Sequence, residues 1–254
     1  MKSIRTLTVI ISIFFSVSAQ SSDLTKKICS RTRAELFEQF RSAENRLAIT
    51  NGGGLFQGGV CWWHSRLQRS SVYLAHFSPE KQKPDSTLAK EIIRKLIHFE
   101  EVVEVPGYEN FYQFSQDFSK LVQSALNEWQ IRDGFINQQW IRGISGRNHL
   151  SALAMTERMN QLYETYLRSE PGLWIMIQMK GITSHALLVL DLRKNERGYD
   201  LVTIDSNFPD TTMNFHYQEG DTSLHYGGST FVPYAGFHKD QLKINEALEH
   251  YCSN

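Results

Sequence analysis

At Leu173 the hydrophobic pattern of this chain changes period, and that change limits its fold more than any other feature. Before it, apolar residues recur at helical spacing. Leu36, Phe40, Ala43 and Leu47 mark one face of a helix predicted over about Leu24 to Ile49. Further helical stretches are expected from Cys61 to about Phe77, Thr87 to Glu101, Glu109 to Ile131 and His149 to Arg168, the last with Met155, Met159, Leu162 and Tyr166 on one stripe. After it come short apolar runs bounded by turn-forming residues: Leu173–Ile177, Ala186–Leu190 and Leu201–Ile204, with two more near Thr212–Tyr217 and Ser229–Tyr234. A helix over about His238 to Tyr251 closes the chain. Helices first and strands later predict an α+β architecture, not alternating βαβ units. With no internal repeat and no Pro/Gly/Ser-rich linker, one domain is expected over 20–254, helical to about 170 and sheet-forming from about 171.

The first nineteen residues read differently from the rest. Lys2 and Arg5 precede an apolar run from Thr6 to Ser18, and Val17-Ser18-Ala19 offers the small residues a signal peptidase reads. Thirteen residues fall short of the roughly 20 that span a bilayer as a helix. A cleaved signal over 1–19 is therefore expected, giving a secreted or periplasmic protein with no stable membrane insertion. Without Lys2 and Arg5 the chain carries 25 basic and 27 acidic side chains and no long block of like charge, so no nucleic-acid partner is expected.

Export changes how three cysteines are read. In an oxidising compartment Cys29 and Cys252 are the candidate disulfide, tying the chain ends together and leaving Cys61 alone. Cys61 follows a loop with five glycines in eight positions, Gly52 to Gly59, and opens a helical pattern. Sulfur at a helix start lies near unpaired N–H groups and the positive end of the dipole, which stabilise thiolate. Gln57 on the same loop is a candidate oxyanion donor, with the Cys61 N–H as its companion. The glycines do not read as a phosphate cradle, because no strand precedes them and no Gly-Lys-Ser/Thr follows.

A thiolate nucleophile needs a base and a group that orients the base. His185 opens one predicted strand, Asp205 ends the next, and Lys194-Asn195-Glu196-Arg197-Gly198 between them suits a hairpin turn. A turn centred on 195–197 sets His185 opposite a position between about 204 and 208, a window holding both Asp205 and Asn207. Asp191 lies nearer the turn, so the register disfavours it. His64, one helical turn after Cys61, reads as a packing or surface residue, and Trp62, Trp63 and Trp174 as core. His225-Tyr226-Gly227-Gly228 reads equally as a cleft wall or a hairpin turn. No His or Cys spacing suggests a metal ligand set, so neither metal nor cofactor is expected.

Gln57, Gly58-Gly59-Val60-Cys61-Trp62, Ser184-His185-Ala186 and Ile204-Asp205-Ser206-Asn207, in the order Cys, His, Asp, resemble the papain-like cysteine peptidase superfamily. The arrangement covers most of the chain after the signal, and the matched motifs amount to about a dozen residues. The glutamine stands four residues before the cysteine, closer than the usual papain spacing. The resemblance implies nucleophile Cys61, general base His185, orienting Asp205 with Asn207 as the alternative, and an oxyanion hole from Gln57 and the Cys61 amide. The function it implies is hydrolysis of peptide or amide bonds in a protein or peptide substrate. Glutamine deamidation or transglutamination on the same triad is the catalytic alternative, and a non-catalytic binding protein on this scaffold the third.

Overall fold

The computed structural model of the chain describes residues 28–136, 147–180, 183–235 and 239–253. The proposed signal segment 1–19 and the start of the closing helix at His238 lie outside them. The architecture is α+β. Among the described residues the helices are α1 (Arg33–Arg41), α2 (Cys61–Leu74), α3 (Ser86–His98), α4 (Phe111–Asp117), α5 (Ser119–Trp129), α6 (Ala152–Arg168) and α7 (Lys239–Cys252). Strands β1 (Ala75–Ser78) and β2 (Val103–Pro106) form a small parallel pair, which the sequence pattern does not reveal. The main sheet is antiparallel, built from β3 (Trp174–Gln178), β4 (Ser184–Lys194), β5 (Gly198–Asp205), β6 (Thr212–Gln218), β7 (Leu224–Tyr226) and β8 (Ser229–Ala235), in the order β6-β5-β4-β3-β8-β7.

Three helical stretches end sooner than their periodicity predicts. The one expected to reach Ile49 stops at Arg41, because Ser42 turns extended and its hydroxyl accepts from Glu44 N–H, opening a 3₁₀ turn over Ala43–Asn45. The one expected to reach Phe77 stops at Leu74, and residues 75–78 pair with β2 instead. The one expected over Glu109 to Ile131 breaks at Phe118, which caps α4 and starts α5. In each case the apolar period continues while the backbone changes direction, since period records burial and not hydrogen bonding.

The sheet has a core on each face. Trp174 and Met176 of β3, Ala186, Leu188 and Leu190 of β4, and Val202 and Ile204 of β5 pack with the body built from α1 to α5 and α7. The alternate residues Ile175, Ile177, Leu187, Val189 and Leu201 pack with Met155, Met159, Leu162 and Tyr166 of α6. This is the period-two division a sheet covered on both sides requires. A bulge between Val189 and Asp191 shifts the register, so Leu192 joins the α6 side. Trp62, Trp63 and Trp174 are buried in the core on the opposite face from α6.

Helix α2 is held at both ends and in the middle. Cys29 and Cys252 form a disulfide. Two residues from it, the Arg31 guanidinium donates to the carbonyls of Val72 and Tyr73 at 2.7 and 2.5 Å, supplying the C-terminal cap of α2. Midway, half-buried Arg66 makes a bidentate pair with Asp240 of α7, reaches Asp133 at 2.7 Å and lies 4.4 Å from the Trp129 ring centre. Removing either carboxylate leaves this guanidinium short of partners, an arrangement that fixes helices more than it adds stability. The result is a rigid α2 across β4, with Cys61 at its N-terminus.

Candidate active site

The loop before Cys61 is shaped by glycine conformations and clamped by side-chain amides. Gly53, Gly54 and Gly59 all have positive φ. A Cβ on Gly54 would lie 2.5 Å from the Gly59 carbonyl oxygen, and one on Gly59 would lie 2.5 Å from Asn51 Oδ1, so both close approaches need glycine. From α5 and the π-helical turn that follows it, Asn127 Oδ1 accepts from Gly54 N–H at 3.0 Å and Gln130 Oε1 accepts from Leu55 N–H at 2.6 Å. Gln130 Nε2 donates to the Gly59 carbonyl, and Gln123 Nε2 to that of Gly52. The loop backbone thus has its hydrogen bonds met by four amide side chains, counting Asn51.

Asn51 joins the two halves of the site. Its Oδ1 accepts from Val60 N–H, one residue before the cysteine. Its own N–H donates to the Ser206 carbonyl at 2.7 Å, and its Nδ2 donates to Asn207 Oδ1 at 2.9 Å. No side chain caps α2 at Val60, so the first-turn N–H groups are left for other partners. Cys61 is the free thiol among the described cysteines, partly exposed at this helix start.

On the sheet, the β4–β5 ladder ends with Leu187 opposite Asp205, two residues along β4 from His185. His185 Nε2 donates to Asp205 Oδ1 at 2.6 Å, and Cys61 at the start of α2 is near enough to act on the charge of the imidazole. Asp205 has no exposed surface. Its Oδ1 also accepts from Asn207 N–H at 2.7 Å, and its Oδ2 accepts from the Tyr226 hydroxyl. Asn207 Nδ2 stands 3.5 Å from His185 Nε2, but that nitrogen already donates to the carboxylate, and the Asn207 oxygen is taken by Asn51. Asp205, not Asn207, therefore holds the imidazole.

The electrostatics follow from these contacts. Burial works against a charged His185, but the nearby Cys61 sulfur and the bond to Asp205 outweigh it and raise its pKa to about 10. Asp205 is likewise opposed by burial, yet His185, the Tyr226 hydroxyl and the Asn207 N–H hold its pKa below the ordinary carboxylate value. The histidine and carboxylate thus form a charge-assisted pair beside Cys61, at the meeting of a helix start and two strand ends.

Other sequence candidates fall around this chain. Gln57 sits on a 3₁₀ turn (Leu55–Gln57) with φ +60, exposed, its amide making no hydrogen bond to another described residue. Asp191 lies away from the site, paired with Arg41 and Arg193. Tyr226 precedes the Gly227-Gly228 turn, and its hydroxyl joins the network. Asn51 and Gln130 escape sequence reasoning, and Tyr226 is expected only as part of a cleft wall or turn, because their roles depend on contacts across 9 to more than 150 positions.

His64 is buried with Nε2 2.8 Å from the Ile49 carbonyl, which can only accept, so that nitrogen carries the hydrogen. Burial lowers its pKa to about 4, overriding the pull of Ile49 and Asp205, and His185 pushes the same way. The folded protein then binds fewer protons than the unfolded chain between an unfolded pKa of about 6.5 and the folded value of about 4. Stability from this group is complete above that window and falls by about 3 kcal/mol as pH drops through it. Asp205, with a depressed pKa, contributes its loss below the ordinary carboxylate range and hence below this window. Urea titrations of the protein and of His64→Gln, which keeps a donor toward Ile49, should show the extra acid loss only in the former; parallel pH curves would refute it.

Compared with protein-family models, curated proteins and solved structures, the chain matches none.

Proposed function

We propose that this protein is an exported thiol hydrolase of papain-like architecture that cleaves peptide or amide bonds. The strongest support is His185: its Nε2 is bonded to a buried carboxylate at 2.6 Å while Cys61 at the α2 start stands beside the same ring. A structural histidine has no need of both partners, whereas a general base does. Export is supported by the residues of 1–19 and by the Cys29–Cys252 disulfide, which belongs to an oxidising compartment.

In this reading Cys61 Sγ attacks the carbonyl carbon, a C–S bond forms, and the oxygen takes the charge beside the N–H groups of the α2 first turn and the Gln57 amide. His185 gives its proton to the leaving nitrogen as the C–N bond breaks, leaving a thioester. Water then attacks that thioester, His185 takes its proton, and the C–S bond breaks to release the acid. Asp205 keeps Nε2–H engaged throughout, so that the other ring nitrogen faces sulfur.

The test is a digest of a complex protein mixture by the protein before and after treatment with iodoacetamide, with new N-termini and ammonia both measured. New N-termini that vanish when Cys61 is alkylated are expected. Ammonia without new N-termini assigns deamidation to the same triad, and neither product from the untreated protein overturns the hydrolase reading.

A further inference from the structure

The buried carboxylate Asp205 has two oxygens to satisfy, and His185 uses one of them. Its Oδ1 accepts from His185 Nε2 and from Asn207 N–H, while among the described residues Oδ2 accepts only from the Tyr226 hydroxyl. The same hydroxyl oxygen accepts from Asn207 Nδ2 at 3.1 Å, which leaves its hydrogen directed at the carboxylate. The ring is fixed independently of these bonds. It lies 5.9 Å from the His185 ring centre, stacked on Phe215 at 6.3 Å and edge-on to Phe231 at 6.4 Å. Behind it the β7–β8 hairpin turns through Gly227 and Gly228, both at positive φ, with Tyr226 paired to Ser229.

We infer that Tyr226 is a positioning residue of this site, holding Asp205 in the rotamer from which its Oδ1 meets His185. This rests on the hydrolase reading for its effect on turnover, though not for its effect on the carboxylate. The phenol keeps its hydrogen for Asp205, since burial and the bond to Asp205 raise its pKa to about 12. The titratable groups facing Asp205 are the imidazoles of His185 from β4 and His64 from α2, and this phenol from β7. Of these, His64 is neutral above its pKa of about 4, and His185 is already bonded to Oδ1, so none can replace the phenol at Oδ2.

Tyr226→Phe removes the hydroxyl and keeps the ring. The Asp205 carboxyl, followed by its ¹³C signal and assigned with Asp205→Asn, should then titrate about one pH unit higher, because a hydrogen bond to the charged form is lost. The acid limb of kcat/KM should move up with it, and kcat should fall about tenfold with KM nearly unchanged. Phe231→Leu, which loosens the same ring and touches no polar group, should leave both midpoints in place. An unshifted carboxyl titration in Tyr226→Phe, or an equal shift in Phe231→Leu, overturns the inference. If the unmodified protein shows no turnover that depends on Cys61, the hydrolase reading fails and the carboxyl titration alone still decides the role of Tyr226.

Discussion

Cys61→Ala should abolish turnover, by a factor of about 10⁴ or more, and His185→Ala should cost nearly as much. Neither change is expected to unfold the chain. Cys61 is partly exposed and loses one sulfur, and His185→Ala removes a ring at a strand end whose backbone pairing with Ile177 is kept. The two losses should not add. Once sulfur is gone there is nothing for the imidazole to activate, so the double variant should match Cys61→Ala within a few fold. Additive losses would mean that the residues act separately and would contradict a site in which Cys61, His185 and Asp205 work as one unit. The pH profile gives a second check with a definite sign. If the active form needs a protonated His185, activity persists through neutral pH and falls as pH rises through about 10, the value set by Cys61 and Asp205 against burial. A basic limb near the ordinary histidine value of about 6.5 would show the imidazole lacks those partners in solution.

How far the sequence discloses this site depends on how local each contact is. His185 and Asp205 are joined by a hairpin, so turn chemistry at Lys194–Gly198 and a period of two are enough to bring them to one strand end. The ladder ends with Leu187 opposite Asp205, two residues from His185, even though a bulge at Val189/Asp191 shifts part of it. Cys61 is legible as a helix start because glycines precede it and helical periodicity follows. The sequence does not say which way α2 crosses the sheet. That is fixed by Arg31, by the Arg66 pairs with Asp133 and Asp240, and by Asn51, whose partners lie up to 174 positions apart. The same reason hides β1 and β2. Each is four residues long, and only their pairing distinguishes them from a helix end and a loop. Asparagine and glutamine are common in loops, so nothing in composition marks Asn51 or Gln130 as the residues that hold the glycine loop.

Gly59→Ala is expected to have the second-largest effect, because it disturbs the contact that joins nucleophile to base. Gly59 has φ +82, where a side chain costs about 1–2 kcal/mol. Its added Cβ would also fall 2.5–2.8 Å from the Asn51 amide. That amide cannot turn aside freely, since it is bonded to Val60 N–H and Asn207 Oδ1 while its backbone is tied to Ser206. Displacing it forfeits two hydrogen bonds of about 1 kcal/mol each, so the variant should lose roughly 3 kcal/mol of stability. The functional loss should be larger than stability explains. A shift of about 1 Å between Cys61 and His185 costs on the order of 10²-fold in rate even in a fully folded protein. Gly58→Ala is the matched control, with φ −79 and only the Leu55 carbonyl at 3.2 Å, and should change stability by less than about 1 kcal/mol. Asn51→Ala separates the clamp from the strain: it should lower activity without the backbone penalty. Combined with Gly59→Ala it should add little, because the clamp is already broken. Full activity in folded Gly59→Ala, or additive losses in the pair, would mean that Asn51 does not set the distance between the thiol and the imidazole.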